Sequence, residues 1–101
     1  MAARRVVRGA CFDLHFRPAN TAGSKARIGL IVPKRLARAA ALRNAIKRQG
    51  REAFRMVAVA IQPCDLVLRL KRPVKGVGAK DSTQRKIWRA EIEALLGHLL
   101  A

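Results

Sequence analysis

Between Arg38 and Ala58 the chain carries two patterns that only an α-helix can separate onto different sides. Leu42, Ile46, Gly50, Ala53 and Val57 advance by 4, 4, 3 and 4 residues, which aligns them along one side. Asn44, Arg48, Arg51 and Arg55 advance by 4, 3 and 4 on the other, with Arg43 and Lys47 alongside. From Lys34 to Arg55 there are eight cations, Lys34, Arg35 and Arg38 among them, and a single acid, Glu52. A helix face that is merely solvated mixes the two signs, and its opposite-charge pairs four residues apart stabilise it slightly. Here like charges stack four apart and oppose the helix, so its apolar side must be held by a sheet. Its basic side calls for a polyanion. Planar guanidinium groups suit phosphate, because each can bond two of its oxygens at once. Asn44 adds an amide able to reach a base edge or a 2′-hydroxyl.

The whole chain repeats that bias. Its 101 residues make one domain, residues 1–101, with 22 Lys and Arg against 6 Asp and Glu, a net charge of +16. An apolar share of 50% is enough for a core. Self-repulsion of this size destabilises a compact state, which again points to a polyanionic partner. Six scattered acids argue against a multi-carboxylate hydrolase centre. Cys11 and Cys64 form no CxxC pair and read as small buried thiols in a reducing compartment. His15 and His98 lack the partner at four residues that a helical zinc site requires. No phosphate-binding glycine motif or nucleophile elbow is present, and Gly76-Val77-Gly78 reads as a turn in a basic loop. No apolar run approaches the roughly 20 residues of a membrane span, and the N-terminus lacks the apolar core of a signal peptide. The residues thus point to no catalytic set and no metal site.

Around the basic helix the pattern predicts β-β-α-β-α. Phe12, Leu14 and Phe16 alternate with Asp13, His15 and Arg17, the period of a strand with one buried face, closed by Pro18. Arg27 to Val32 is nearly unbroken apolar, as for a strand covered on both sides, and the short connection predicts that these two strands pair as a hairpin. The helix spans about Ala37 to Ile61, where Gly50 is unfavourable unless the sheet approaches closely. Asp65 to Leu70 is a third strand, and Lys71 to Lys80 a basic loop. Asp81, Ser82 or Thr83 can cap a final helix whose Trp88, Ile92, Leu95 and Leu99 share one side. On that helix Arg89 offers a charge outside the basic stripe. With four aromatic residues there is no platform for stacking bases, and no helix-turn-helix pair is visible. Backbone and shape recognition of a folded RNA fits best.

The residues Arg43-Asn44-Ala-Ile-Lys47-Arg48-Gln-Gly-Arg51-Glu52-Ala-Phe54-Arg55 closely resemble the signature of the bacterial ribonuclease P protein family, R-N-x-x-K-R-x-x-R-E-x-F-R, and meet every fixed position. Upstream, Arg27-Ile-Gly-Leu-Ile-Val-Pro-Lys34-Arg35 resembles the family's R-x-G-x-x-V-S-K-[KR], with Pro33 in place of Ser. Downstream, Asp65 to Pro73 resembles its strand ending in proline. The likeness covers roughly Phe12 to the C-terminus.

That resemblance implies a small α+β sandwich similar to the second domain of ribosomal protein S5, with a left-handed βαβ crossover carrying the basic helix. It implies a cytoplasmic subunit that assists a catalytic RNA in removing the 5′ leader of precursor tRNA. Its partners would be that RNA and precursor tRNA, with no membrane and no obligate protein partner. The protein itself would hold no cofactor, and the Mg²⁺ that activates water would belong to the RNA. Lys34, Arg35, Arg43, Asn44, Lys47, Arg48, Arg51 and Arg55 would lie at the RNA contact. Asp13, His15 and Arg17 would line the cleft for the single-stranded leader. Members usually carry an N-terminal helix with aromatic residues before the first strand. About ten residues precede Cys11 here, none aromatic, so that helix is expected to be missing or truncated. Two other classes fit the composition: a general RNA chaperone or ribosome-associated factor, and an autonomous nuclease. The scarcity of carboxylates and the isolated histidines argue against the nuclease.

Overall fold

In the computed structural model residues 5–18 and 25–100 are described. They form β1 (Arg5–Arg8), β2 (Phe12–Pro18), β3 (Arg27–Ile31), α1 (Ala40–Val57), β4 (Cys64–Leu70) and α2 (Ser82–Gly97), with a 3₁₀ turn at Ala58–Ala60. The sheet runs β1-β2-β4-β3; β2 is antiparallel to β1 and β4, and β3 is parallel to β4. This is an α+β fold with a mixed four-stranded sheet and two helices.

Both helices pack on one face of the sheet. Phe12 and Leu14 of β2 and Leu66, Leu68 and Leu70 of β4 form the sheet side of the core. Leu42, Ile46 and Ala53 of α1 and Trp88, Ile92, Leu95 and Leu96 of α2 close over them. The apolar stripe of α1 is therefore buried as its spacing requires. At Gly50 the helix lies close against the sheet: a Cβ there would lie 2.7 Å from Leu30 Cδ2 and 3.2 Å from Leu68 Cδ2. Asp81, one of the three cap candidates, accepts from the backbone N–H of Gln84 at 2.9 Å.

Three expectations are corrected. The strands β2 and β3 do not pair as a hairpin, because β4 lies between them. Asp65 of β4 stands in register with Arg17 of β2 and Arg27 of β3, and its carboxylate meets both, so opposite charges favour this order. Nor is β3 covered on both sides; it is an edge strand with Ile28 and Leu30 toward the helices and Ile31 exposed. The helix is shorter than expected at both ends: α1 begins at Ala40 and ends at Val57, where the chain passes into the 3₁₀ turn Ala58–Ala60 ahead of Pro63. The strand β1 is an addition that the sequence pattern had not indicated.

Candidate nucleic-acid interface

The packing of α1 leaves Asn44, Arg48, Arg51 and Arg55 exposed and Arg43 and Lys47 half-buried. Lys34 and Arg35 are exposed on the turn that leads into the helix. Arg43 does local work: its Nη1 donates to the carbonyls of Ala37 at 3.0 Å and Arg38 at 2.6 Å, fastening that turn to the first coil of the helix. Asn44, by contrast, is exposed, one turn before Arg48. Arg48, Arg51, Glu52 and Arg55 line an open cleft of about 310 Å³.

What these cations lack is a carboxylate, because all six acids of the chain are engaged elsewhere. Asp13 holds Lys71 at 2.7 Å and Arg8 at 3.6 Å. Asp65 holds Arg27 at 3.0 Å and Arg17 at 3.9 Å. Glu52, the one acid on α1, is taken by Arg89 of α2, which also approaches Glu93 at 4.0 Å. Asp81 caps α2, and Glu91 accepts from the backbone N–H groups of Phe12 and Cys11 at 2.7 and 2.9 Å. Among the described residues, Lys34, Arg35, Lys47, Arg48, Arg51 and Arg55 make no ion pair and donate no side-chain hydrogen bond. Lys47 and Arg51, and Arg51 and Arg55, stand four residues apart, each pair costing a few tenths of a kcal/mol. Burial of the opposite side offsets that repulsion. An anion laid along this face would remove it.

A family model described as Ribonuclease P matches residues 1–99. The chain belongs to the ribonuclease P protein family. The ribonuclease P protein component of Azoarcus sp. (strain BH72) is 45% identical over 73 residues, 72% of this chain and 59% of that protein. The corresponding protein of Bordetella avium (strain 197N) is 38% identical over 99 residues, 98% of this chain and 81% of that protein. Among solved structures, an RNase P protein from Staphylococcus aureus superposes with a TM-score of 0.69 at 28% identity, covering 95% of this chain and 75% of that one. The signature of the ribonuclease P family thus lies on a helix face whose charges the fold leaves uncompensated.

The other sequence-predicted group, Asp13, His15 and Arg17, sits on the sheet face away from both helices. Register places His15 in a row with Val6, Val67 and Gly29. Arg8, Asp13, Arg69 and Ile31 form the row on one side of it; Arg17, Asp65 and Arg27 form the row on the other. The three residues therefore share a face, yet not a condition. Asp13 is buried between Lys71 and Arg8, Arg17 is exposed, and the Nδ1 of His15 is shut off from solvent with no hydrogen-bond partner. This face and the α1 face are on opposite sides of the sheet, so the structure does not bring the two predicted groups together.

The thiols remain free. Burial pushes both up, with Glu91 adding to the effect at Cys11 and Asp65 at Cys64. They are held as thiols, unsuited to nucleophilic work. Sequence reasoning passed over Arg85 and Lys86, which with Gln49, Ser82 and Arg89 line a second open cleft of about 300 Å³ beside α1. A signal existed: Lys80, Arg85, Lys86 and Arg89 accompany only Asp81 over ten residues. The nearby Glu91 and Glu93 masked it.

Proposed function

We propose that the chain is the protein subunit of ribonuclease P, gripping the catalytic RNA with the outer side of α1 and so assisting removal of the 5′ leader from precursor tRNA. One observation carries this reading. The exposed cations of the matched signature have no carboxylate partner within the described residues, although every acid of the chain is paired or hydrogen-bonded. Uncompensated arginines along one helix suit a phosphate backbone, each contact releasing condensed counterions. Arg48, Arg51 and Arg55 are the phosphate ligands, Lys34, Arg35 and Lys47 widen the field, and Asn44 supplies a neutral donor. Arg43 acts partly by holding the turn that bears Lys34 and Arg35.

Hydrolysis belongs to the RNA and the Mg²⁺ it holds, with water activation and stabilisation of the leaving oxygen coming from the metal. This chain contributes charge, which lowers the repulsion between two folded RNAs and thus the Mg²⁺ they require. The single-stranded leader lies against the open sheet face, where His15 and Arg17 offer donors; Asp13, locked by Lys71, contributes no direct contact. The compartment is the cytoplasm, and no other protein is needed. Cleavage of precursor tRNA by a bacterial ribonuclease P RNA at low Mg²⁺, with and without this chain, tests the reading. Stimulation is expected with the RNA present and no cleavage without it. Cleavage by RNA-free protein, or no stimulation at any Mg²⁺ concentration, overturns it.

A further inference from the structure

We propose that the RNA contact continues across the groove between the helices onto the first turns of α2, where Arg85 and Lys86 form a second phosphate-binding cleft. The proposal rests on the reading of α1 as an RNA-binding helix and extends it to residues outside the family signature. Two open clefts lie close together, one on α1 walled by Arg48, Arg51 and Arg55, the other on the α1–α2 seam walled by Arg85 and Lys86. Between them stands the network in which Arg89 donates to Gln49 at 3.0 Å and to Glu52. That network neutralises the only acid in either lining. Arg89 is spent within it, so the ligands of the second cleft are Arg85 and Lys86.

Four further observations fit an anion there. The Nε of Arg85 has no acceptor within the protein, so this guanidinium is not spent on a contact of the fold, and guanidinium groups favour charge-assisted bonds to phosphate oxygens. Lys86 is exposed, and no carboxylate pairs with it among the described residues. The remaining acids of α2 are directed elsewhere, Glu91 to the backbone of Cys11 and Phe12 and Glu93 to Arg89. The Ser82 hydroxyl lines the same cleft as a neutral donor. Both clefts are wide open, and neither lining contains an aromatic or large aliphatic side chain that would hold a base. The ligand class is therefore the phosphodiester backbone of folded RNA, and the RNA assigned here is the catalytic one.

The test is binding of in vitro transcribed bacterial ribonuclease P RNA to the full chain across a salt series. Variants are Arg85→Ala, Lys86→Ala, Arg48→Ala, Arg51→Ala and, as a control, Lys25→Ala, an exposed cation ahead of β3. Each α2 variant is expected to weaken binding roughly tenfold at low salt and to lower the slope of log K against log salt by about one. The control keeps the wild-type slope. Wild-type binding by both α2 variants, with losses in both α1 variants, overturns the extension and leaves the α1 reading intact. Wild-type binding by all four overturns both. Equal losses in the control reduce the effect to general charge and overturn the extension. The same variants titrated with precursor tRNA alone are expected to be unchanged, and a loss confined to that RNA overturns the assignment to the catalytic one. Should Arg85→Ala fail to fold, exposed Lys86 decides.

Discussion

Arg89 of α2 donates through Nε to Oε1 of Gln49 on α1 at 3.0 Å, and the same guanidinium holds Glu52 one turn further along. The sequence placed Arg89 outside the basic stripe as a spare charge, but it joins the two helices and silences the one acid on the basic side of α1. Arg89→Ala is therefore a structural variant. It should cost about 1–3 kcal/mol through the partly buried amide and carboxylate left behind, read as a lower midpoint in urea. Arg89→Lys, which can reach one partner at a time, should lose less. A melting curve unchanged by Arg89→Ala would remove the network from the stability argument.

Glu91 is the second fastening between helix and sheet. Its Oε2 accepts from the N–H groups of Cys11 and Phe12, and a Cβ on Gly9 would lie 2.8 Å from the same oxygen and 2.9 Å from the Phe12 carbonyl. Glu91→Ala leaves two backbone donors unpaired and should cost roughly 2–4 kcal/mol. Gly9→Ala should destabilise as well, by forcing the β1–β2 turn away from α2. Thermal unfolding followed by circular dichroism checks both, and an unperturbed Gly9→Ala would show that the turn can yield.

Acid should find Asp13. Burial by itself would raise its carboxyl, but the Lys71 hydrogen bond and the charges of Lys71 and Arg8 outweigh it and hold the group below its ordinary 3.8. A carboxyl depressed in the folded state adds stability above its unfolded value, and that stability is lost as pH falls through the folded one. The wild-type urea midpoint should thus drop below about pH 4, and Asp13→Asn should show a shallower acid limb. Parallel limbs would mean that Asp13 is not what acid unfolds.

Much of this was legible from the chain because it is local. The two sides of α1, the alternation of β2, the strand β4 and a cap among Asp81, Ser82 and Thr83 each follow from residues within a few turns of one another. The signature reads directly onto the exposed side of α1 for the same reason. Strand order did not follow, since it rests on pairings between segments distant in the sequence, such as those that bring Asp65 beside Arg17 and Arg27. Nor did β1, four residues in which Val6 and Val7 are flanked by arginines and no alternation develops. The second cleft was hidden twice over, once by the acids of α2 and once by a dependence on how two helices meet. Whether a cation is free or paired is a tertiary fact, and it separates Arg51 from Arg89.

Multivalent anions should stabilise this chain more than chloride does. Sulfate or phosphate that binds the folded cationic face selectively shifts the folding equilibrium by mass action. A net charge of +16 on 101 residues, with the α1 cations unpaired, leaves ample repulsion to relieve. Tm should rise further in sulfate than in chloride of equal ionic strength, and the excess should shrink in an Arg48→Ala, Arg51→Ala double variant. Coincident melting curves in the two salts would argue against a clustered anion site.

Removing α1 cations singly should separate binding from folding. Arg48 and Arg51 are exposed, make no contact that supports the core, and sit among like charges, so Arg48→Ala and Arg51→Ala should leave Tm equal or slightly higher at low salt. Binding to the catalytic RNA should nevertheless weaken by about 1.5–3 kcal/mol per variant, the scale of a charge-assisted phosphate contact. The salt slope should fall by roughly one for each. Ile46→Ala marks the opposite side of the same helix: it is buried, so truncation should cost about 2–5 kcal/mol of stability. At a temperature where that variant remains folded, its salt slope should match wild type. A fall in Tm for Arg51→Ala, or a reduced salt slope for folded Ile46→Ala, would mean that the helix does not divide into a core side and an RNA side.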